Sequence, residues 1–345
     1  MTQPTSPQIT LIVPVYNGSR FLIELFDSVI AQTFPYWICL CVNDGSKDNS
    51  SEIIADYCRK DSRFQLITKE NGGTGDSRNV GMAHVQTPYV MFSDQDDLLH
   101  PQSFEIAHQC IEASGADLLQ FERTHFSTRY KPIHYDISAI HVTPLTCLRN
   151  GEYPGNTICV WQYIYRLSAI SGCLFPKISG GEDHAFLFEL AFKVEKWAKI
   201  STSLYGVQRN LSSTSRSMPL WYIDNAFTCY REVYLRSQKY QVDANRIKEY
   251  IHQWALWFCN SVIFVHGRSK SSREMFQRTA NNITRLKDEG ILNVNLSYRG
   301  NFLFGLLTQQ HFTLLSCLAW TIGLPSLSKP LLIFFKRMIF RLKDA

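Results

Sequence analysis

Over its first 120 residues the chain switches back and forth between two hydrophobic periods, and no other feature restricts its fold so strongly. Ile9 to Val13 is a short apolar run closed by Pro14, after which Phe21, Leu22, Leu25, Phe26, Val29 and Ile30 recur at helical spacing. The cycle returns with a predicted strand from Trp37 to Val42 and a helix from about Asp48 to Lys60. A strand from Phe64 to Thr68 and a helix near Thr74 to His84 follow. A strand from Tyr89 to Phe92, a helix from about Pro101 to Ala113 with proline in its first turn, and an apolar strand from Leu118 to Phe121 complete the series. Strands alternating with helices of this length predict an α/β fold. Its sheet is mostly parallel, its crossovers right-handed and its faces covered by helices.

In such a sheet the loops leaving the carboxyl ends of the strands gather along one rim, where ligands bind. Here those loops are Pro14-Val15-Tyr16-Asn17, Asn43-Asp44-Gly45-Ser46, Asn71-Gly72-Gly73 running on to Arg78-Asn79, and Ser93-Asp94-Gln95-Asp96-Asp97. All four are polar and rich in Asn, Asp and Gly. Beyond residue 121 the pattern is mixed to about 215, punctuated by Pro and Gly, and then helical from about 219 to 290.

Composition narrows the function classes. With 45% apolar and 19% charged residues, the 345-residue chain can bury a large core, so disorder is excluded. Ten cysteines include no C-x-x-C pair, so they read as buried thiols in a reducing compartment. The opening MTQPTSPQIT lacks a basic segment followed by an apolar one, and a cytoplasmic location is expected. The net charge of +5 is concentrated in the last twenty residues, where Lys329, Lys336, Arg337, Arg341 and Lys343 face only Asp344. The body is therefore near neutral, which gives nucleic-acid binding no support. Phe312 to Pro325, the longest apolar-leaning piece of the C-terminal stretch, falls short of the ~20 residues a membrane span requires.

Each rim loop admits a chemical and a structural reading. Asp94 and Asp96, one residue apart after a buried strand, would repel each other unless a cation neutralised them. A hard divalent ion that completes its shell with substrate phosphate answers that need. The alternative is an acidic start to the following helix. Asp44 suits a nucleobase imide or ribose hydroxyl, or else belongs to an Asx-type turn before a helix capped by Ser46 or Asp48. Gly72-Gly73 with Arg78 and Asn79 suits a phosphate, or is a surface turn with a solvated arginine. Gly180-Gly181-Glu182-Asp183, ahead of an apolar helix from Ala185 to Phe192, presents either a general base for an acceptor hydroxyl or an ordinary acidic helix start.

Taken together, "ITLIVPVYNGSRFLIELFDSVIAQTF", "VNDGSKDNS", "ENGGTGDSRNVGM" and "YVMFSDQDDLL", with Gly181-Glu182-Asp183 and a downstream Arg209, resemble the inverting nucleotide-sugar glycosyltransferases of family 2. The resemblance covers about residues 8 to 216, roughly 60% of the chain. It implies a GT-A fold, a Rossmann-like nucleotide-binding mixed sheet flanked by helices, with a C-terminal helical extension. Residues 1–216 would be the catalytic domain, with the nucleotide-sugar half at 8–121 and the acceptor half at 122–216. The helical region would be 217–345. By position, Pro14, Tyr16 and Asn17 would line the nucleotide pocket with Asn71 and Gly73, Asp44 would contact the base, and Arg78 would help hold the nucleotide. Asp94 would lie nearer the ribose and share with Asp96 a divalent metal, Mn²⁺ or Mg²⁺. Asp183 matches the catalytic base, and Arg209 falls near the diphosphate. UDP is the nucleotide implied.

Some residues depart from the family pattern. Asn43-Asp44 stands where Asp-Asp is common. Gly75-Asp76 replaces a small uncharged pair, so that Asp76 would either alter sugar preference or pair with Arg78. No Q-x-x-R-W pattern follows, so the resemblance is to single-addition enzymes rather than polysaccharide synthases. A sugar-phosphate nucleotidyltransferase and a non-catalytic glycan-binding relative are the competing classes. The first usually carries a Gly-rich basic loop after its first strand, and the second would be expected to lose Asp96 or Asp183. The expected acceptor is a glycan or lipid-linked saccharide of a surface polysaccharide. In the tail, about 326–345, Leu331, Phe334, Phe335, Met338 and Ile339 interleave with the basic residues. That spacing suits a helix lying in an anionic membrane surface, or one packed on the body.

Overall fold

A computed structural model of the chain describes residues 5–145, 159–209, 217–240, 243–266 and 272–292. It divides into two compact units, Met1–Asn210 and Leu211–Ala345. The tail at 326–345 lies outside the described residues.

The first unit is built on β1 (Ile9–Val15), β2 (Trp37–Asn43), β3 (Phe64–Thr68), β4 (Tyr89–Phe92), β5 (Leu98–Leu99), β6 (Leu118–Phe126), β7 (Thr143–Leu145), β8 (Tyr163–Arg166) and β9 (Trp197–Gln208). Its helices are α1 (Ser19–Ile30), α2 (Ser50–Lys60), α3 (Thr74–Ala83), α4 (Ser103–Ser114), the single turn α5 (Leu167–Ile170) and α6 (Glu182–Lys193). The strand order is β3-β2-β1-β4-β8-β6-β9-β5, with β7 added to β9. Strands β1 to β4 are mutually parallel, and every residue of β1 and β4 is buried, as expected where helices cover both faces of a sheet. The helices supply that cover through stripes such as Leu22, Leu25, Phe26 and Val29 of α1.

Beyond β4 the sheet departs from the mostly parallel expectation. Strand β8 enters antiparallel to both β4 and β6, β9 runs parallel to β6, and β5 and β7 pair antiparallel with β9. The sheet is thus mixed, as the family resemblance implied. The carboxyl ends of β6 and β9 fall on the same rim as those of β1 to β4, together with the start of β8. Strand β6 also runs on to Phe126, well past the expected end at Phe121. The fourth helix begins at Ser103 rather than Pro101, because Pro101 sits in a turn closed by Ser103 N–H donating to His100 O at 2.9 Å.

The second unit contains α7 (Leu220–Ser237), α8 (Ala244–His266) and α9 (Ser272–Asp288), which pack on one another through Ile223, Phe227, Val233, Phe258, Val262, Phe276 and Ile283. Asp224 fixes α9 to α7, accepting from Arg278 at 2.7 Å and from Asn282 at 2.7 Å. No helix among the described residues is long and apolar enough to cross a membrane.

Candidate active site

The sheet registers Val15 beside Asn43 and Asn43 beside Thr68, so the loops after β1, β2 and β3 leave at one level. Side chains then tie these loops to each other. Asn17, held at a φ of 50°, accepts at Oδ1 from Lys47 N–H (2.8 Å), while its own N–H donates to Ser46 Oγ at 3.1 Å. Asp48 accepts from Ser19 N–H and Ser50 N–H, both at 3.0 Å. Although burial opposes its charge, these bonds and the Ser50 hydroxyl hold its carboxyl down at about 2. The Asx turn foreseen around Asp44 is made by Asn43 instead, whose Oδ1 accepts from Ser46 N–H at 3.0 Å.

Asp44 is buried and turned toward the next loop. Its Oδ1 accepts from Lys69 Nζ at 2.6 Å and Gly72 N–H at 2.9 Å, and its Oδ2 from Gly73 N–H at 2.8 Å. Exposed Asn71 closes the arrangement by donating from Nδ2 to Asp44 O at 3.1 Å. The backbone here needs glycine. Gly73 has a φ of +89°, and a Cβ on it would meet Ser179 Oγ at 2.6 Å. Asp76 pairs with Lys69 at 2.9 Å and with Lys177 at 3.7 Å, so the expected pairing with Arg78 is corrected. Those lysines are nearer, and they hold its carboxyl below the usual range.

One and a half turns into α3, Arg78 gathers three carboxylates. Its side chain is 2% exposed. Nη2 donates to Asp94 Oδ1 at 2.9 Å, and Nη1 donates to Glu182 Oε1 at 3.2 Å and to Asp183 Oδ1. Burial opposes a charge there, yet Asp183, Asp94 and Glu182 together hold the guanidinium pKa above its ordinary value. Glu182 is anchored by Gly180 N–H at 2.7 Å, in a turn where Gly180 and Gly181 have φ of 99° and 90°. Asp183 is the second residue of α6, and its Oδ2 accepts from Val160 N–H at 3.3 Å. Burial pushes its carboxyl up to about 7, opposed by Arg78 and reinforced by Glu182 and Asp94. A carboxyl so placed exchanges a proton near neutral pH.

The acidic loop after β4 is fixed from two sides. Gln95 pairs with the backbone of Tyr16, accepting from its N–H at 2.9 Å and donating to its O at 3.1 Å. On the other side, buried Asp97 accepts from Gln208 N–H at 2.9 Å, and Asp94 N–H donates to Tyr205 Oη at 3.0 Å. Asp94 is 34% exposed and Asp96 is half-buried. Pro14 is buried in β1 beside Val42, and Tyr16 is exposed at the rim. Arg209, exposed just past β9, donates its N–H to Phe126 O at 2.7 Å. Among the described residues no hydrogen bond or ion pair joins its side chain to the Arg78 cluster.

Arg78, Asp94 and Asp183 thus meet directly, and Asp44, Asn71 and Gly73 form a second group at the entry to the same helix. Gln95, Glu182, Val160, Lys69 and Tyr205 were given no role by the sequence. Only Glu182, adjacent to Asp183, carried a signal.

The pattern of glycosyl transferase family 2 matches residues 10–189, which hold both groups. The chain belongs to that family. Among its relatives, EpsJ of Bacillus subtilis, an uncharacterized glycosyltransferase, is 28% identical over 215 residues, 60% of this chain and 62% of its own length. EpsH of the same organism is 25% identical over 292 residues, 80% of this chain and 82% of its own. Residues 1–349 of S. aureus TarS, crystallised with UDP-GlcNAc, share the fold with a TM-score of 0.67 at 18% identity, covering 90% of each chain. The mannosyltransferase PcManGT of Pyrobaculum calidifontis, in complex with GDP-Man and Mn²⁺, does so with a TM-score of 0.54 at 12% identity, over 90% of this chain and 86% of its own.

The family resemblance implies a divalent cation. Asp94 and Asp96 offer only carboxylate oxygens, the donor set that Mg²⁺ and Mn²⁺ prefer. Among the described residues no group of three or more His, Cys, Asp or Glu is arranged to hold a metal ion by itself. A cation held by two carboxylates and completed by diphosphate oxygens needs no such cage, so the residues of this family 2 chain fit the group.

Proposed function

We propose that the chain is an inverting glycosyltransferase that moves one sugar from a nucleoside-diphosphate sugar, with UDP as the nucleotide, to a hydroxyl of a glycan or lipid-linked saccharide in surface-polysaccharide synthesis. The observation that carries this reading is Asp183. It is a carboxylate raised to about 7 at the start of α6, and one guanidinium links it to Asp94 of the acidic loop. A proton acceptor beside a pair of carboxylates able to hold a cation suits a displacement at a sugar carbon, which needs a base for the incoming hydroxyl and charge stabilisation for the leaving diphosphate.

In this reading Pro14, Tyr16 and Asn17 line the nucleotide pocket. Asp44 contacts the base from within the loop it organises, alongside Asn71 and Gly73. Asp94 and Asp96 hold the cation, Mn²⁺ or Mg²⁺, which when bound neutralises charge on the diphosphate. Arg209, at the same rim, faces the departing diphosphate. Asp183 takes the proton from the acceptor hydroxyl as its oxygen bonds to the anomeric carbon. The bond from that carbon to the diphosphate breaks on the opposite face, and configuration inverts. The basic, apolar tail at 326–345 would hold the enzyme on the anionic inner face of the cell membrane, within reach of a lipid-linked acceptor. The UDP-GlcNAc complex of TarS and the GDP-Man and Mn²⁺ complex of PcManGT support a nucleotide-sugar donor and a divalent ion.

A panel of nucleotide sugars assayed for nucleotide release with Mn²⁺ or Mg²⁺ tests the reading, with Asp96→Ala and Asp183→Ala as controls. Turnover of at least one donor, lost in both variants, is expected. Full activity in Asp183→Ala would remove the assigned base, and release that persists in EDTA would remove the metal.

A further inference from the structure

The family resemblance gives Arg78 to the nucleotide, but its surroundings give it different work. We propose that Arg78 is a positioning residue that fixes the base Asp183 relative to the donor-side carboxylate Asp94. The proposal rests on the reading of Asp183 as the base. Three observations carry it.

First, three of the five N–H donors of Arg78 are committed to carboxylates, none of them to an open pocket. Each Nη nitrogen bears two hydrogens. Nη1 uses both, on Glu182 Oε1 and Asp183 Oδ1, and Nη2 uses one on Asp94 Oδ1 at 2.9 Å. Second, the side chain is 2% exposed and lies 5.3 Å from the Phe175 ring, so it faces carboxylates and an aromatic wall. Third, the elements that bring these partners together are locked by other contacts. Asn79, the next residue of α3, holds both backbone groups of Phe175, donating from Nδ2 to its O at 2.9 Å and accepting at Oδ1 from its N–H at 2.8 Å. A Cβ on Gly75 would meet Pro176 O at 2.9 Å and Glu182 Cγ at 3.2 Å. The first turns of α3 and α6 are therefore held in close register. The guanidinium spans from one to the other and on to the loop after β4.

The planar fork matters more here than the charge. Lysine would keep the charge but presents a single nitrogen, which cannot reach Asp94 on one side and the Glu182–Asp183 pair on the other in fixed directions. Arg78→Lys therefore separates positioning from nucleotide binding. Three readouts are compared between the parent and this variant: thermal unfolding, affinity for UDP with Mn²⁺ by calorimetry, and turnover at saturating donor, using the sugar nucleotide selected by the panel. The expectation is a folded variant that binds UDP within about threefold of the parent and turns over at least fiftyfold more slowly. Asp183→Asn combined with Arg78→Lys should be no more than about threefold slower than Asp183→Asn alone, because the arginine acts through the base.

UDP binding weakened tenfold or more with turnover at saturation preserved would return Arg78 to the nucleotide and overturn the proposal. Full additivity of the two substitutions would overturn it as well. Should Arg78→Lys fail to fold, Glu182→Gln withdraws one carboxylate from the same Nη1. Turnover lowered fivefold or more with UDP affinity unchanged is then expected, and unchanged turnover contradicts the proposal. If the parent itself neither binds UDP nor releases it from any donor, the functional reading has failed instead, before any variant is compared.

Discussion

As the proposed base, Asp183 has to be buried enough to keep its proton near neutral pH and near enough to a cation to lose it on demand, and burial and Arg78 pull its carboxyl in those opposite directions. The sign follows from the direction of the shift. With the carboxyl raised to about 7, the base is ionised above that value and protonated below it. Since kcat/KM reports the free enzyme, it should be flat above about pH 7 and fall roughly tenfold per unit below it, as a pH series will read. Gln95 is the second residue with a separable role. Alanine there removes two hydrogen bonds to the Tyr16 backbone, about 1–3 kcal/mol in all, and should weaken UDP binding by roughly five- to 150-fold while leaving the pH limb unmoved. Gln95→Glu should recover only part of the loss, because a carboxylate accepts from Tyr16 N–H but cannot donate to its carbonyl; calorimetry with UDP and Mn²⁺ separates the three. The acidic loop and the Gly-Gly-Glu-Asp turn were legible in the sequence because several charged residues crowd into a short polar segment beside an apolar run. The joining of Arg78 to Asp183, 105 positions away, was not, since nothing local to either residue encodes the other. Asp76 shows the same limit. Its sequence neighbourhood suggested Arg78, and the fold supplied Lys69.

Helix α3 carries the arrangement at the next scale, because its N-terminal turn closes the Asp44 group and its second turn holds Arg78. Its packing against the segment from Phe175 to Glu182 leaves no room for a methyl at Gly75. Gly75→Ala should therefore destabilise the chain by about 1–3 kcal/mol in a urea titration, and turnover should fall more than stability alone explains. Strands β1, β2 and β4 were readable because each is a buried apolar run ending in a polar loop, while β3, which buries only Phe64, was readable from its place in the strand–helix cycle; the match at Phe64–Thr68 and Tyr89–Phe92 is to the residue. The second half of the sheet was not readable for reasons visible in its strands. Strand β9, WAKISTSLYGVQ, alternates small and polar residues with buried ones and carries a glycine, while β5 is two residues long and has no period to detect. Strand β8 is four residues long, and its antiparallel insertion between β4 and β6 is a matter of topology that no local pattern encodes.

For the whole molecule, both side-chain groups of the candidate site lie in the first unit, and the proposed part of the tail is to hold the enzyme near a lipid-linked acceptor. A donor that binds only the folded chain must raise its melting temperature. At a hundredfold excess over Kd, UDP should add about 2.7 kcal/mol of stability with Mn²⁺ present and far less in EDTA, which a thermal shift series will show. Removal of residues 326–345 should abolish binding to anionic vesicles, each basic residue contributing about 1 kcal/mol near such a surface, and leave nucleotide release in solution unchanged. In the proposed mechanism, carboxylates from separate segments act on one donor, with Asp183 as the base. Transfer from the selected nucleotide sugar, measured beside donor affinity for the parent and for Asp183→Asn, tests it most directly. Equal affinity with Mn²⁺ and transfer slowed by about a hundredfold or more are expected. Transfer by Asp183→Asn at the parent rate would contradict that mechanism.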